Sequence, residues 1–557
     1  MRDKAITWAR SRCTLFHAAL IVSTLTLAAA LPVYGSEVST VNLTAVADKL
    51  QQAVDRELVR GAVVAAYDSG AVTYKGVGVT AKGSSDPPTK DTVFEIGSIT
   101  KVFTALLVQT LVQEEELSWD STLKESLPLP TLEFANNRVQ EITLRELAIH
   151  SSGLPRLPAN MQPSDLLDPY IDYSAEQLLS FVLDYDPETL DKTQVYSNLG
   201  FGLLGAIAAY GVDYDELMRS NIFEPLEMTN SYVEHTPENQ QMLIPGYSRG
   251  ATMPNWNFDV MVGAGGVLST AEDLMKFVSR NIETSDSPID KSLSNLREPQ
   301  VAPNQGLGWA LMHSDGGKPV YWHAGATGGY VSFLAISPEE SKGWVILAAS
   351  TESALINEMG VSFFRASQQS TGVDLSPYVG VFELSPNLNI TFSDRDGQLF
   401  GQASGQQEFP LTHSDGRSFN FELGGISITF GEPSDENGQA QELEWSQRGH
   451  TISAKRIEDS QSVTYRKEIE LSVETLEQYP GKYRLGDNFF LTILHREGQL
   501  FAHATGQPVF PIFALEEDRF FYKVVDAEIH FERDEDENIV ALTLHQNGEL
   551  RAPLVEE

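Results

Sequence analysis

Cysteine is nearly absent from this chain of 557 residues: the single one is Cys13. It lies in a stretch that reads as a removable leader. The rest of the chain can therefore form no disulfide, offers no thiol nucleophile and holds no metal through sulfur. Export without disulfides requires stability from core size alone, and 41 % hydrophobic residues can supply such a core. Basic residues are scarce as well: 39 Lys and Arg stand against 77 Asp and Glu, a formal charge of −38. Such a surface repels nucleic acid and anionic lipid, so neither is expected as a partner. After the first 35 residues there is no apolar run long enough for a helical membrane span. Also missing are a Gly-x-Ser-x-Gly elbow, a His-Glu-x-x-His zinc motif and a Gly-x-x-x-x-Gly-Lys phosphate loop. No metal, nucleotide or other cofactor is indicated.

The leader has a clear plan. Arg2, Lys4, Arg10 and Arg12 form a basic start, an apolar run follows to about Leu31, and Val33-Tyr34-Gly35 offers a cleavage site. Ser23, Thr24 and Thr26 interrupt the run, which makes it a poor permanent anchor. Arg10 and Arg12 are not adjacent, so a twin-arginine signal is not indicated. Residues 1–35 read as a secretory signal peptide, and the protein as periplasmic or secreted.

The length exceeds what one core holds. A repeat divides the C-terminal third. Gly397-Gln-Leu-Phe400 recurs as Gly498-Gln-Leu-Phe501, and Ala403, Gly405-Gln406 and Phe409-Pro410 recur at the same offset of 101 residues. Tyr378 and Gly380 match Tyr479 and Gly481 in the same way. Each copy consists of short, often alternating apolar segments between Gly, Asn and Asp, the pattern of a small antiparallel barrel or sandwich. Upstream, 61–67 and 71–74 flank Asp68-Ser-Gly70 and read as a hairpin, as do 331–336 and 344–348. Helical stretches lie between these strand pairs, which predicts an α+β domain with an antiparallel sheet flanked by helices. The expected boundaries are 1–35 for the leader, 36–370 for this domain, and 374–460 and 472–557 for two all-β barrel-like domains.

Ser98 sits where Val93-Phe-Glu-Ile96 turns through Gly97 into a helix over 98–113. A serine there can cap the helix, with its oxygen beside free N–H groups. Lys101, three residues on, shares its face. Past Lys101 the helix is apolar on nearly every side, so it is expected to be buried. Burial lowers a lysine pKa and can turn the amine into a base. Spacing alone leaves a helix cap and a solvated lysine as the plainer reading, and Ser121-Thr-Leu-Lys124 repeats the pattern in a polar stretch. Two further elements shift the balance. Tyr196-Ser-Asn198 precedes an apolar helix; its phenol can relay a proton, and its amide can orient both the lysine and a substrate carbonyl. His323-Ala-Gly325 precedes the strand at Val331, where glycine allows close approach to strand backbone.

In this order, Ser-x-x-Lys, Tyr-x-Asn and His-x-Gly resemble the penicillin-recognising serine hydrolases, whose related members carry Ser-Asp-Asn and Lys-Thr-Gly as second and third elements. Tyr-x-Asn resembles the branch of class C β-lactamases, DD-peptidases and D-aminopeptidases. Leu144 to Pro155, Phe223 to Met228, Gly265 to Thr270 and Gly306 to Trp309 look like further stretches of that branch. The resemblance covers about 45–365, and the two C-terminal copies are similar to the paired barrels of D-aminopeptidases.

The resemblance implies an acyl-enzyme at Ser98. It implies proton transfer by Lys101 and Tyr196, an oxyanion hole from the N–H groups of Ser98 and Ala326 beside Gly325, Asn198 on the acyl side chain, and His323 facing the substrate carboxylate or leaving group. His323 stands where β-lactamases carry Lys, and Ala324 lacks the usual hydroxyl, so efficient β-lactamase activity is not implied. A peptidase or amidase on small peptides with D- or non-standard residues leads. A carboxylesterase or weak β-lactamase using the same site, and a penicillin-binding sensor without turnover, stay open. His150 reads as structural. The partner is then a small peptide or ester.

Overall fold

The computed structural model describes residues 37–555 apart from 128–132, 191, 193, 299–304, 365–372, 386–387, 396–397, 404–407, 422–425, 435–437, 448–449, 458–465, 526 and 547. The leader, with Cys13, lies outside the described residues, as does much of the link between the C-terminal copies. Val38–Glu557 form one compact unit.

Its N-terminal part is built on a six-stranded antiparallel sheet. The strands run spatially as Ala71–Gly78, Val59–Asp68, Lys342–Ser350, Tyr330–Ser337, Pro319–Ala326 and Ala310–His313. Successive side chains point to opposite faces, and both faces are buried here. Val63, Ala65 and Tyr67 join one core with the helices Thr100–Gln113 and Asn198–Ala208. Ala62, Val64 and Ala66 join a second core with the helices Glu37–Asp55 and Ser353–Ser362. This explains why Val59–Asp68 is buried throughout and why its sequence reads as a continuous apolar run rather than a clean alternation. On the first of these helices, Leu43, Val46, Ala47 and Leu50 recur at helical spacing and pack on the sheet. The architecture is the α+β layering expected from the sequence.

The C-terminal third is all β. Eight strands from Gly380–Ser385 to His450–Ile457 close into a barrel. Eight more, from Gly481–Gly486 to Glu549–Pro553, form a second sheet. Its ends come together at the Tyr483–Leu554 bridge and at the hydrogen bond from Val555 N–H to the Lys482 carbonyl, 2.8 Å. The first five strands of the two copies start 101 residues apart, the offset of the sequence repeat. Each interior is packed with aromatic rings: Tyr378, Phe382, Phe392 and Phe430 in one, Tyr479, Tyr483, Phe520 and Phe531 in the other.

The second sheet docks on the N-terminal part. In the strand Gln499–Ala504, Leu500 and Ala502 face the interior of their own sheet, while Phe501 points outward. Phe501 is nonetheless 0 % exposed, because it packs against Leu167 and Met253. Beside it Arg496 pairs with Asp165. Arg249 donates to the Lys523 carbonyl at 3.0 Å, and Phe513 and Phe521 close over Ala251.

Candidate active site

The strand Val93–Glu95 pairs with Leu268–Thr270 and leads through Ile96 into a 3-10 turn, Gly97–Ile99, that opens the helix Thr100–Gln113. Gly97 has φ +49, in the left-handed region, and a Cβ there would lie 2.7 Å from Ala326 N. Only glycine allows the end of the strand Pro319–Ala326 to approach this closely. Gly325 is equally constrained: its Cβ would lie 2.0 Å from the Ile96 carbonyl oxygen, which instead accepts from Ser332 Oγ at 2.8 Å. The Ser98 turn and the backbone of Gly325-Ala326 are thereby pressed together.

Ser98 makes no capping hydrogen bond; Ile96 and Ile99 are the cap residues, and neither caps through its side chain. The plainer reading of Ser98 as a helix cap therefore does not hold. The hydroxyl is turned to the lysine one helical turn on: Lys101 Nζ lies 3.0 Å from Ser98 Oγ and donates to the Ala264 carbonyl at 2.6 Å. Ser98 is half-buried, whereas Lys101 is 0 % exposed. Burial, reinforced by the positive charge of Arg156, holds the amine well below its ordinary pKa. The Ala264 carbonyl is placed by neighbouring bonds, since Thr104 Oγ1 donates to the Gly263 carbonyl at 2.7 Å and Val267 N–H donates to Thr100 Oγ1 at 3.0 Å. The sequence carried the motif Gly265 to Thr270 but no sign that the carbonyl just before it holds the lysine. The second Ser-x-x-Lys behaves otherwise. Thr122, not Ser121, caps the four-residue helix Leu123–Ser126, and Lys124 is exposed.

Tyr196 lies beside the same lysine. Its ring centre is 4.9 Å from Lys101 Nζ. Burial pushes the phenol up to about 12, against the Ser98 hydroxyl bonded to it and the charge of Arg156, which both pull down. His150 holds the Tyr-Ser-Asn segment from both ends. Its carbonyl accepts from Val195 N–H at 2.9 Å, and its Nδ1 accepts from Ser197 N–H at 3.1 Å. An accepting Nδ1 puts the ring proton on Nε2. Burial, with Lys101, His323 and Arg156 adding to it, lowers this ring to about 3. His150 itself sits at φ +60, uncommon for a residue other than glycine.

Asn198 begins the helix Asn198–Ala208, whose N-cap is Ser197. Its Nδ2 donates to Tyr170 Oη at 3.1 Å, and its buried Oδ1 has no partner. It does not hold Lys101, contrary to expectation; the Ala264 carbonyl does. His323 lies within the strand Pro319–Ala326, ahead of the strand Tyr330–Ser337. Its ring centre is 6.3 Å from that of Tyr196 and its Nδ1 2.8 Å from the Ala324 carbonyl oxygen. Burial and then Lys101 lower this ring to about 3, the carbonyl opposing, so it is neutral at neutral pH. The seven residues singled out from the sequence thus gather around one turn.

Three neighbours were not singled out. Tyr170 stacks on Phe258 at 4.8 Å and meets Trp256 at 5.5 Å, forming an aromatic wall beside Asn198. Glu95 lies beneath it, accepting from Trp256 N–H at 3.1 Å, and burial raises its carboxyl to about 8. Arg156 lies over the Tyr196 ring, 5.1 Å from its centre. Only Arg156 had a signal, its place directly after the Leu144 to Pro155 stretch.

The family model named Beta-lactamase matches residues 46–358, more than half of the chain, and the chain belongs to this family. A second model, a domain of unknown function (DUF3471), matches residues 465–552. A β-lactamase of Escherichia coli K12 is 27 % identical over 338 residues, which are 53 % of this chain and 85 % of that protein. The D-alanyl-D-alanine-carboxypeptidase/endopeptidase AmpH of the same organism is 26 % identical over 305 residues, 51 % of this chain and 77 % of that one. The crystal structure of a class C β-lactamase from Rhodobacter sphaeroides matches with a TM-score of 0.51 at 21 % identity, covering 58 % of this chain and 98 % of that one. The protein is a serine hydrolase of the β-lactamase and penicillin-binding superfamily, and among its described residues no helix is long and apolar enough to cross a membrane.

Proposed function

We propose that the protein is an exported peptidase or amidase that acts on small peptides through an acyl-enzyme at Ser98. The observation that carries this is the 3.0 Å approach of Lys101 Nζ to Ser98 Oγ, with the Tyr196 ring centre 4.9 Å from the same amine. Burial lowers the pKa of the amine, which receives the Ser98 proton as Oγ attacks the acyl carbon. The phenol of Tyr196 stays protonated at neutral pH, so it acts as a donor: it passes a proton to the departing amine and is resupplied from Lys101. The new oxyanion takes hydrogen bonds from the N–H groups of Ser98 and Ala326. Water then attacks the acyl carbon: Lys101 takes its proton, and as the ester bond breaks Tyr196 gives a proton to Ser98 Oγ and is resupplied from Lys101. The Asn198 amide receives the acyl side chain. Residues 36–370 carry the chemistry, and 374–460 and 472–557 are accessory domains.

A carboxylesterase is the second reading, favoured by the neutral His323, which makes a poor carboxylate anchor. A panel of D-alanyl amides, short acyl esters and β-lactams, run on wild type and Ser98→Ala, separates the two. The peptidase reading predicts a higher kcat/KM on the amides and a loss of about 10³-fold or more in the variant. Equal hydrolysis by Ser98→Ala contradicts it.

A further inference from the structure

Three side chains could direct positive charge at a substrate here. Lys101 is fully buried and its Nζ is engaged by Ser98 and Ala264. His323 is buried and neutral. Arg156 differs from both: it is exposed, and its guanidinium sits on the face of the Tyr196 ring. Among the described residues that guanidinium has no hydrogen bond and no ion pair. In a chain with twice as many acidic as basic residues this stands out, since Arg145, Arg219 and Lys192 on the same part of the fold each pair with a carboxylate.

The position of Arg156 is fixed. Its carbonyl accepts from the N–H groups of Asn198 at 3.0 Å and Leu199 at 3.1 Å, and the preceding Pro155 carbonyl accepts from Ser197 Oγ at 2.7 Å. The loop is therefore tied to the segment that carries Tyr196. Stacking on the ring restricts the side chain further and leaves its planar fork of donors open to solvent. That fork matches a carboxylate.

We propose that Arg156 is a carboxylate anchor at the mouth of the site and selects small acyl substrates bearing a free carboxylate. This deepens the hydrolase reading and rests on Ser98 as its nucleophile. It decides between two kinds of peptide. A free C-terminal carboxylate is attracted to this guanidinium, while a free N-terminal ammonium is repelled. The carboxylate can belong to the leaving group, as in a dipeptide acid, or to the acyl group, as in a hemisuccinate ester.

Two matched pairs test it in the full chain. N-acetyl-D-alanyl-D-alanine is compared with its C-terminal amide, and p-nitrophenyl hemisuccinate with p-nitrophenyl butyrate. Loss of a charge-assisted pair corresponds to about tenfold to a hundredfold. Arg156→Ala should cost the charged member of at least one pair that much more in kcat/KM than its neutral partner, mainly through KM, while any loss that comes from the missing charge beside Lys101 and Tyr196 falls on both members alike. The pair that responds identifies which side of the scissile bond the anchor serves. Arg156→Lys should recover most of the loss, and added salt should shrink it. An equal loss on charged and neutral members of both pairs overturns the proposal. Calorimetric binding of the peptide acid and amide to Ser98→Ala, with and without Arg156→Ala, reads the anchor without turnover. If the acid binds more tightly there only with Arg156 in place, while wild type shows no Ser98-dependent hydrolysis, the anchor stands and the hydrolase reading fails.

Discussion

The ring of His150 lies 4.4 Å from the ring of Tyr196, tilted by 35°, and the same histidine bonds the backbone on either side of that tyrosine. A neutral imidazole is required, because Nδ1 accepts a hydrogen bond. His150 is thus a clamp on the phenol, set by burial rather than by a charge partner.

Replacing it tests this role. His150→Ala leaves Ser197 N–H unpaired and removes the packing on Tyr196, a destabilisation of about 1–3 kcal/mol. It should also lower kcat by about tenfold or more with a smaller change in KM, since the phenol is displaced but substrate contacts stay. His150→Asn, which tolerates φ > 0 and can place an oxygen near Nδ1, should recover part of both. Urea unfolding and steady-state kinetics on the three proteins check this.

Glu95 gives a pH signature of known sign. Its folded pKa is about 8 against 4.5 for an ordinary glutamate. A raised carboxyl favours the folded state fully below pH 4.5, and that contribution is lost as the pH rises through 8. Glu95→Gln keeps an acceptor for Trp256 N–H and cannot ionise. The variant should therefore gain on wild type between pH 4.5 and 8, by up to about 1.4 kcal/mol per pH unit. Urea midpoints at pH 5 and pH 8.5 measure the difference. A constant gap between the two proteins would show that Glu95 ionises freely.

The second barrel should matter through Phe501 rather than through Arg496. Both lie against the segment Asp165–Tyr170, whose Leu167 carbonyl accepts from Trp256 Nε1 at 2.9 Å and whose Tyr170 holds Asn198. Arg496 is 41 % exposed, so its pair with Asp165 is worth about 1 kcal/mol or less. Phe501 is fully buried, and Phe501→Ala should cost about 3–5 kcal/mol. Hydrogen exchange of peptides spanning 164–172 and 254–258 should speed up in Phe501→Ala and change little in Arg496→Ala.

These elements show where the sequence could be read and where it could not. Ser-x-x-Lys, Tyr-x-Asn and His-x-Gly were legible because the chemistry demands those side chains at short spacing, and the 101-residue repeat was legible because two copies of one fold share their turns. Contacts across long separations carry no such signal. Nothing local links Lys101 to the Ala264 carbonyl, and nothing in Gly-Gln-Leu-Phe tells the two copies apart. Yet Phe501 is buried against Leu167, while Phe400, its counterpart, is only half-buried. Spacing alone favours a helix cap at Ser98, because a serine before a buried helix usually is one. The tertiary partners Lys101 and Tyr196 outbid that local preference.

The central claim is that Ser98 carries the acyl group and Lys101 removes its proton. Mass spectrometry of the intact protein and of its 93–113 peptide, after rapid mixing with benzylpenicillin or an activated acyl ester, tests both parts. The account predicts one adduct, on Ser98, formed at least about 10²-fold more slowly in Lys101→Ala and absent from Ser98→Ala. An adduct on another residue, or one on Ser98 that forms equally fast without the Lys101 amine, would contradict it.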